Sequence, residues 1–201
     1  GGSSGIGEAC VRHYVQQGAK VILAARREAE SKTIIDSLPT GAASYHQTDV
    51  ADAKSIESLF EFIQSTYARL DILVNNAGIA GVSDKQLHEL SESQWHEVMT
   101  INSTGAFLCM QHALKMMLAQ QAGNIVNVSS IAGLKGGKVN AAYTASKHVL
   151  NGLTRNAAVT YADQNIRVNA VCPSFTDTEM LRRALPHFLE LAPTIMPMKR
   201  C

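Results

Sequence analysis

A chain of 201 residues, 46% of them hydrophobic, suits one globular domain with a sizeable core and excludes a disordered or fibrous polypeptide. Eighteen Lys and Arg stand against seventeen Asp and Glu, a net charge of +1. This excludes the basic excess that would attract nucleic acid or an anionic membrane surface, and favours a small neutral or weakly charged partner. Cys10, Cys109, Cys172 and Cys201 are scattered without C-x-x-C or zinc-ligand spacing, so neither a disulfide framework nor a structural metal is expected, and a reducing, cytoplasmic setting is the default. There is no signal-like h-region and no apolar run near the roughly 18 residues of a membrane span, so the chain reads as soluble.

In chain order, "GGSSGIG" opens a helix that runs through "EACVRHYVQQ" to a stop at Gly18, and a short apolar strand follows around Lys20 to Ala24. "ASYHQTDV" is a second candidate strand. "AKSIESLFEFIQSTYARL" reads as a helix with Ile56, Leu59, Phe60 and Ile63 on one face, and "DILVNNAG" as a buried strand ending in a glycine turn. "SESQWHEVMTINSTGAFLCMQHALKMMLAQ" reads as one long helical stretch, "GNIVNVSS" as a strand, "NAAYTASKHVLNGLTRNAAVTYAD" as a helix, and "IRVNAVCP" as a strand ended by proline. Short, nearly all-apolar strands alternating with helices indicate an α/β domain with a parallel sheet covered on both faces. Ligands of such folds bind beyond the carboxyl ends of the strands, so the residues just after each strand carry the functional interest.

Gly1, Gly5 and Gly7 form G-x-x-x-G-x-G at the start of a helix, whose free N–H groups and positive dipole end suit a pyrophosphate; a flexible Gly/Ser-rich start is the competing reading. After the next strand, "LAARRE" places Ala25 where an acidic residue would bind the ribose hydroxyls of NAD, followed by Arg26 and Arg27. An arginine there accommodates the 2'-phosphate of NADP, so NADP(H) is favoured over NAD(H), against plain solvated surface charge. Asp49 either binds the adenine amino group or caps the helix that begins near Asp52.

By "NNAG" the motifs together resemble the short-chain dehydrogenase/reductase family, and the resemblance covers essentially the whole chain. "GGSSGIG" (Gly1, Ser3, Ser4, Gly5, Ile6, Gly7) resembles the family's cofactor loop without its leading threonine, Asp49 and Val50 its adenine contact, and Asn75, Asn76, Ala77 and Gly78 its sheet-stabilising, cofactor-lining turn. Asn102 lies in "NSTG", Ser130 in "NVSS", and Tyr143 to Lys147 form "YTASK", with Ser130 thirteen residues before Tyr143. The resemblance implies a single NAD(P)-binding domain over residues 1–201, a Rossmann-type doubly wound parallel sheet with helices on both faces and a nicotinamide cofactor across its carboxyl edge. It also implies a first, central strand before Gly1 and a last strand after Cys201. The natural protein is therefore expected to be longer at both ends, and a chain confined to these residues to be insoluble or inactive, because unpaired central strand edges are costly. Ser174 departs from the glycine that usually follows Pro173, where a glycine allows close backbone approach to the cofactor.

Ketone reduction needs a hydride at carbon and a proton at oxygen, and the protein must supply the proton. A tyrosine with an unperturbed pKa of about 10 is a poor shuttle unless positive charge favours its phenolate. On a helix, residues four apart share a face, so Lys147 can supply such a charge to Tyr143. Ser130, at a strand end, would donate to the substrate oxygen as in an oxyanion hole; Asn102, as the resemblance implies, would hold a water linking Lys147 to solvent. Thr176 and Thr178 in "PSFTDT" are placed to bond the nicotinamide carboxamide and the adjacent phosphate, and "EMLRRALPHFLELAP" would form a substrate lid, with Phe175, Met180 and Leu181 as an apolar wall or as simple packing. Lys135 and Lys138 either favour an acidic substrate or are plain solvent-exposed charges, the second being the simpler reading. His148 and Trp95 receive no catalytic role.

The reading is an NADP-preferring oxidoreductase acting on a ketone or secondary alcohol through Asn102, Ser130, Tyr143 and Lys147. A catalytically idle nucleotide-binding or regulatory protein on the same fold is the alternative, and a sugar-nucleotide epimerase or dehydratase would need a different glycine loop and a larger substrate domain. The long helices around Gly105 to Gln120 and Asn140 to Asp163 carry apolar residues beyond one stripe, which predicts a homodimer or homotetramer of the complete protein.

Overall fold

The computed structural model describes residues 1–82, 85–137, 139–187, 190 and 194. Strands and helices alternate: α1 (Gly5–Gln16), β1 (Val21–Ala25), α2 (Glu28–Asp36), β2 (Ala43–Gln47), α3 (Ala53–Tyr67) and β3 (Ile72–Asn75), then α4 (Glu92–Met99), α5 (Gly105–Gln120), β4 (Gly123–Val128), α6 (Ala141–Thr160), β5 (Ile166–Val171) and α7 (Glu179–Ala184). Every strand pair is parallel, as helical crossovers require. The strands form two sets, β1–β2 and β3–β4–β5. The edges of β1 and β3 border a cleft of about 550 Å³, lined by Val21, Leu59, Phe60, Ile63 and Leu73 among others.

Helix α3 buries Ile56, Leu59, Phe60 and Ile63, the i, i+3, i+4, i+7 stripe that its sequence spells. They join Met110, Ala113, Leu114 and Met117 of α5 and Ile125, Ile166 and Val168 of β4 and β5 in the larger core. Burying each large apolar side chain contributes about 1.5–3 kcal/mol, so this layer fixes how α5 lies on the sheet. Val11, Leu23, Ala25 and Ile34 form a smaller core around β1.

Two elements differ from the sequence reading. Helix α2 went unread because it buries only Ser31 and Ile34 in nine residues, too few apolar positions to show a helical period. The long stretch before β4 is divided: a π-helical turn at Thr100–Thr104 joins α4 to α5 and contains Asn102. Such turns widen the helix by one residue and recur at functional sites. They leave no trace in hydrophobic periodicity.

Candidate active site

Helix α6 begins at a capped end. Asn140 Oδ1 accepts from the Tyr143 N–H at 3.0 Å while its Nδ2 donates to the Val82 carbonyl at 2.6 Å, so one amide fixes both the helix start and the loop after β3. Lys147, one turn after Tyr143, is 5% exposed; its Nζ donates to the Val128 carbonyl at 2.8 Å and stands 5.6 Å from the centroid of the Tyr143 ring. Ser130, just past β4, hydrogen-bonds the Tyr143 side chain and also accepts from the Ala132 N–H at 3.1 Å. The end of β4 and the first turns of α6 thus bring Ser130, Tyr143 and Lys147 together.

The electrostatics differ from expectation. Burial pushes the Tyr143 phenol above its ordinary value, opposed by the Ser130 hydrogen bond. The Lys147 ammonium, the charge expected to favour the phenolate, lies over the ring face and bonds a backbone carbonyl. Burial lowers Lys147 itself to about 8, with Cys172 pulling the other way.

Asn102 is 1% exposed and its amide is fully engaged: Oδ1 accepts from the Ile79 N–H at 2.8 Å, and Nδ2 donates to the Ile79 carbonyl at 2.9 Å and to Ser146 Oγ at 3.1 Å. Its side chain therefore locks the loop after β3 to α6. It lies close to Lys147 through Gly78, where a Cβ would stand 3.2 Å from Asn102 Oδ1 and 3.8 Å from Lys147 Nζ. Ser146, fully buried, donates to the Tyr143 carbonyl at 2.7 Å, and its own carbonyl accepts from Ser103 Oγ at 3.4 Å. The π turn consequently grips α6 between Tyr143 and Lys147. The sequence reading missed Ser146, although a serine in an otherwise apolar helical run signals a buried partner.

The glycine loop packs against the turn after β3. Asn76 Nδ2 donates to the Gly1 carbonyl at 2.7 Å, and a Cβ on Gly7 would run into that same carbonyl. Gly5 takes φ +54 at the first residue of α1, a conformation open to glycine at little cost. Ser3 is buried and Ser4 is the extended N-cap residue, with Ile6 in the first turn. Asn75 donates to the Ala106 carbonyl at 3.2 Å and to Asn127 Oδ1 at 3.0 Å, and Asn127 passes the connection to Thr154 Oγ1 at 2.9 Å. Asn75 therefore ties β3 to β4, α5 and α6, and Asn127, an amide inside an apolar strand, is a second residue the sequence reading passed over.

At the end of β1, Arg26 faces Asp49 at 3.9 Å, while Arg27 donates to both Oγ and the carbonyl of Ser3, each at 3.3 Å. Arg27, rather than Arg26, is therefore the arginine seated on the glycine loop. Asp49 does not cap α3; Asp52 does, accepting from the Lys54 N–H at 2.9 Å, and Asp49 accepts from the Ala51 N–H instead. Val50 packs against Gly105 and Ala77 against Gly1. The Pro173 carbonyl accepts from the Ile131 N–H at 3.0 Å, holding the segment after β5 against the Ser130 turn. Ser174 and Thr176 are exposed there, and Thr178 caps α7 through the Leu181 N–H at 3.3 Å. Lys135 is exposed, as are His148 and Met180, while Trp95, Phe175 and Leu181 are half-buried. Lys138 and most of the proposed lid beyond His187 lie outside the described residues.

A glycine-cradled helix start at the carboxyl end of a parallel sheet, with the half-buried Ser130 and Tyr143 and the buried Lys147 clustered beside it, defines a nucleotide-binding α/β protein. The profile of the short chain dehydrogenases matches residues 1–187, and the chain belongs to that family. It is 39% identical over 186 residues to a 3beta-hydroxysteroid dehydrogenase of Mediterraneibacter gnavus, covering 92% of this chain and 67% of that protein. It is 41% identical over 182 residues to a cis-4-hydroxycyclohexanecarboxylate dehydrogenase of Sinomonas cyclohexanicum, covering 90% and 73%. Other relatives are spanned to as little as 62% of their length. Among solved structures, ElxO with NADP bound superposes with a TM-score of 0.91 at 33% identity, over 100% of this chain and 82% of that one. Among the described residues no helix is long and apolar enough to cross a membrane.

Proposed function

We propose that the protein is a cytoplasmic, NADP-preferring oxidoreductase that interconverts a ketone and a secondary alcohol. The observation that carries this reading is the convergence of Ser130 and Lys147 on Tyr143, next to a loop whose glycines leave no room for side chains. That loop fits a dinucleotide: the first N–H groups of α1 receive no side-chain cap from Ser4, Gly7 admits no Cβ, and Arg27 is anchored on Ser3. Ser3, Ser4, Ile6, Arg26, Asp49, Val50, the Asn75–Gly78 turn, Pro173, Ser174, Thr176 and Thr178 are assigned to the cofactor along with it. A bound nicotinamide supplies or accepts the hydride.

The residues of this chain handle the proton. Tyr143, held as a phenol by burial, gives its proton to the carbonyl oxygen as the carbon is reduced, and takes one back from the alcohol in the reverse direction. Ser130 donates a hydrogen bond to the same oxygen and shares its developing charge. Lys147, cationic below its pKa of about 8, favours the phenolate left on Tyr143. Asn102 keeps the loop after β3 and the π turn in register with Lys147, and the relay of protons to solvent is assigned to this corner.

The relatives' names name alcohols on rings, a 3beta-hydroxysteroid and a cis-4-hydroxycyclohexanecarboxylate, which supports a cyclic secondary alcohol as the first substrate class to try. The cleft between β1 and β3 supports one further strand of the complete protein pairing there, parallel to both. Phe107 and Leu118 on α5 and Val149 and Val159 on α6 are exposed, which supports a homodimer or homotetramer built on these helices. The test is a panel of ketones and alcohols with NADP(H) and NAD(H) on the full-length protein, with Tyr143→Phe beside it. A loss of about 100-fold or more in turnover is expected for that variant; full activity in it would remove the mechanism, and binding of nucleotide without any turnover would favour the catalytically idle alternative.

A further inference from the structure

Arg27 is flanked by two carboxylates. Its Nη1 lies 3.6 Å from Glu30, a neighbour on α2, and 3.5 Å from Glu179, the first residue of α7, which arrives from the far end of the chain. The start of α7 meets the glycine loop at a second point, because Thr178 Cγ2 stands 3.1 Å from where a Cβ on Gly5 would lie. Glu179 is held in place by Arg183 at 2.6 Å and Thr178 by its cap to Leu181. The first turn of the segment after β5 therefore leans on both the phosphate loop and the arginine attached to it.

From this geometry we infer that Glu179 sets the cofactor preference, by competing with the ribose 2'-phosphate for Arg27. The inference rests on the NADP reading above. A 2'-phosphate carries about −1.5 to −2 charge at neutral pH. Seated on Arg27, it would share that guanidinium with the Glu179 carboxylate, which stands 3.5 Å from Nη1. The phosphate must then either displace Glu179 from Arg27, moving the start of α7, or bear the repulsion. NAD, with a neutral hydroxyl at that position, meets neither cost. Glu30 also repels, but it belongs to the same βα unit as Arg27, so it cannot couple the preference to the segment after β5.

The experiment is titration of the full-length protein with NADP and NAD, for wild type, Glu179→Gln and Glu179→Gln/Arg183→Gln. Two partly exposed charges within several ångströms, screened by solvent and salt, predict NADP binding on the order of 3–10-fold tighter in Glu179→Gln, with NAD within about twofold of wild type. The double variant should keep that gain. Its loss there would assign the effect to the freed Arg183 and overturn the inference, as would an unchanged ratio of NADP to NAD affinity in Glu179→Gln. The wild-type ratio is a separate readout: a preference for NAD would sink the NADP reading, yet a selective gain for NADP on removing Glu179 would still uphold the role given to this carboxylate.

Discussion

Replacing Lys147 with Met separates what this residue costs the fold from what it contributes to the site. Burial lowers its pKa from 10.5 to about 8, a shift that corresponds to about 3 kcal/mol of penalty for holding the ammonium charged at neutral pH. Against this stands the hydrogen bond to the Val128 carbonyl, whose loss costs about 1–3 kcal/mol if that oxygen is left dry. The variant is therefore expected to be as stable as wild type at pH 7 or about 1–2 kcal/mol more so, while turnover collapses. The pH dependence is sharper than the sign at one pH. Between about pH 8 and 10.5 the unfolded lysine holds a proton that the folded one has released, so wild-type stability rises with pH through this window, relative to the variant. By pH 9 wild type should have gained about 1 kcal/mol on Lys147→Met compared with pH 7. Urea unfolding of both proteins at pH 7, 8 and 9 measures this directly. A difference that stays constant across that range would refute the buried, proton-shedding lysine, whatever happened to activity.

Asn102→Ala would strand the N–H and carbonyl of Ile79 and a hydrogen bond to Ser146, so a loss of about 2–4 kcal/mol in urea unfolding is expected, and Asn102→Asp, which can still accept from Ile79 but turns a second oxygen on the Ile79 carbonyl, should lose at least as much. If Asn102→Asp were as stable as wild type, the donated bonds would not be what holds the loop. Sedimentation of the complete protein at micromolar concentration should give a dimer or tetramer, and Val159→Glu, which puts charge on the most exposed of the α5 and α6 apolar residues, should shift it toward monomer without unfolding it; a monomeric wild type would contradict the proposed assembly.

Much of this protein is legible from its letters because each element carries its own local code. The apolar stripe of α3, the glycines before α1 and the near-continuous hydrophobic strands need no partner to be recognised. The four-residue step from Tyr143 to Lys147 likewise places both on one face of any helix that contains them. Where local periodicity is weak or interrupted, reading fails: α2 has too short an apolar face, and the π turn at Asn102 repeats no pattern.

By itself, then, the sequence determined the alternation of strands and helices, the parallel sheet and which side chains cluster beyond its carboxyl edge, since period and spacing are properties of a single segment. Only the tertiary structure decided what those side chains touch. Lys147 turns its charge to the Val128 carbonyl and the Tyr143 ring, Asn102 spends its amide on Ile79 and Ser146, and Arg27 rather than Arg26 sits on Ser3. Glu179 reaches Arg27 across 152 positions of chain. Such pairings depend on distances between segments far apart in sequence, and on burial, which shifts a pKa by removing water that no string of residues records.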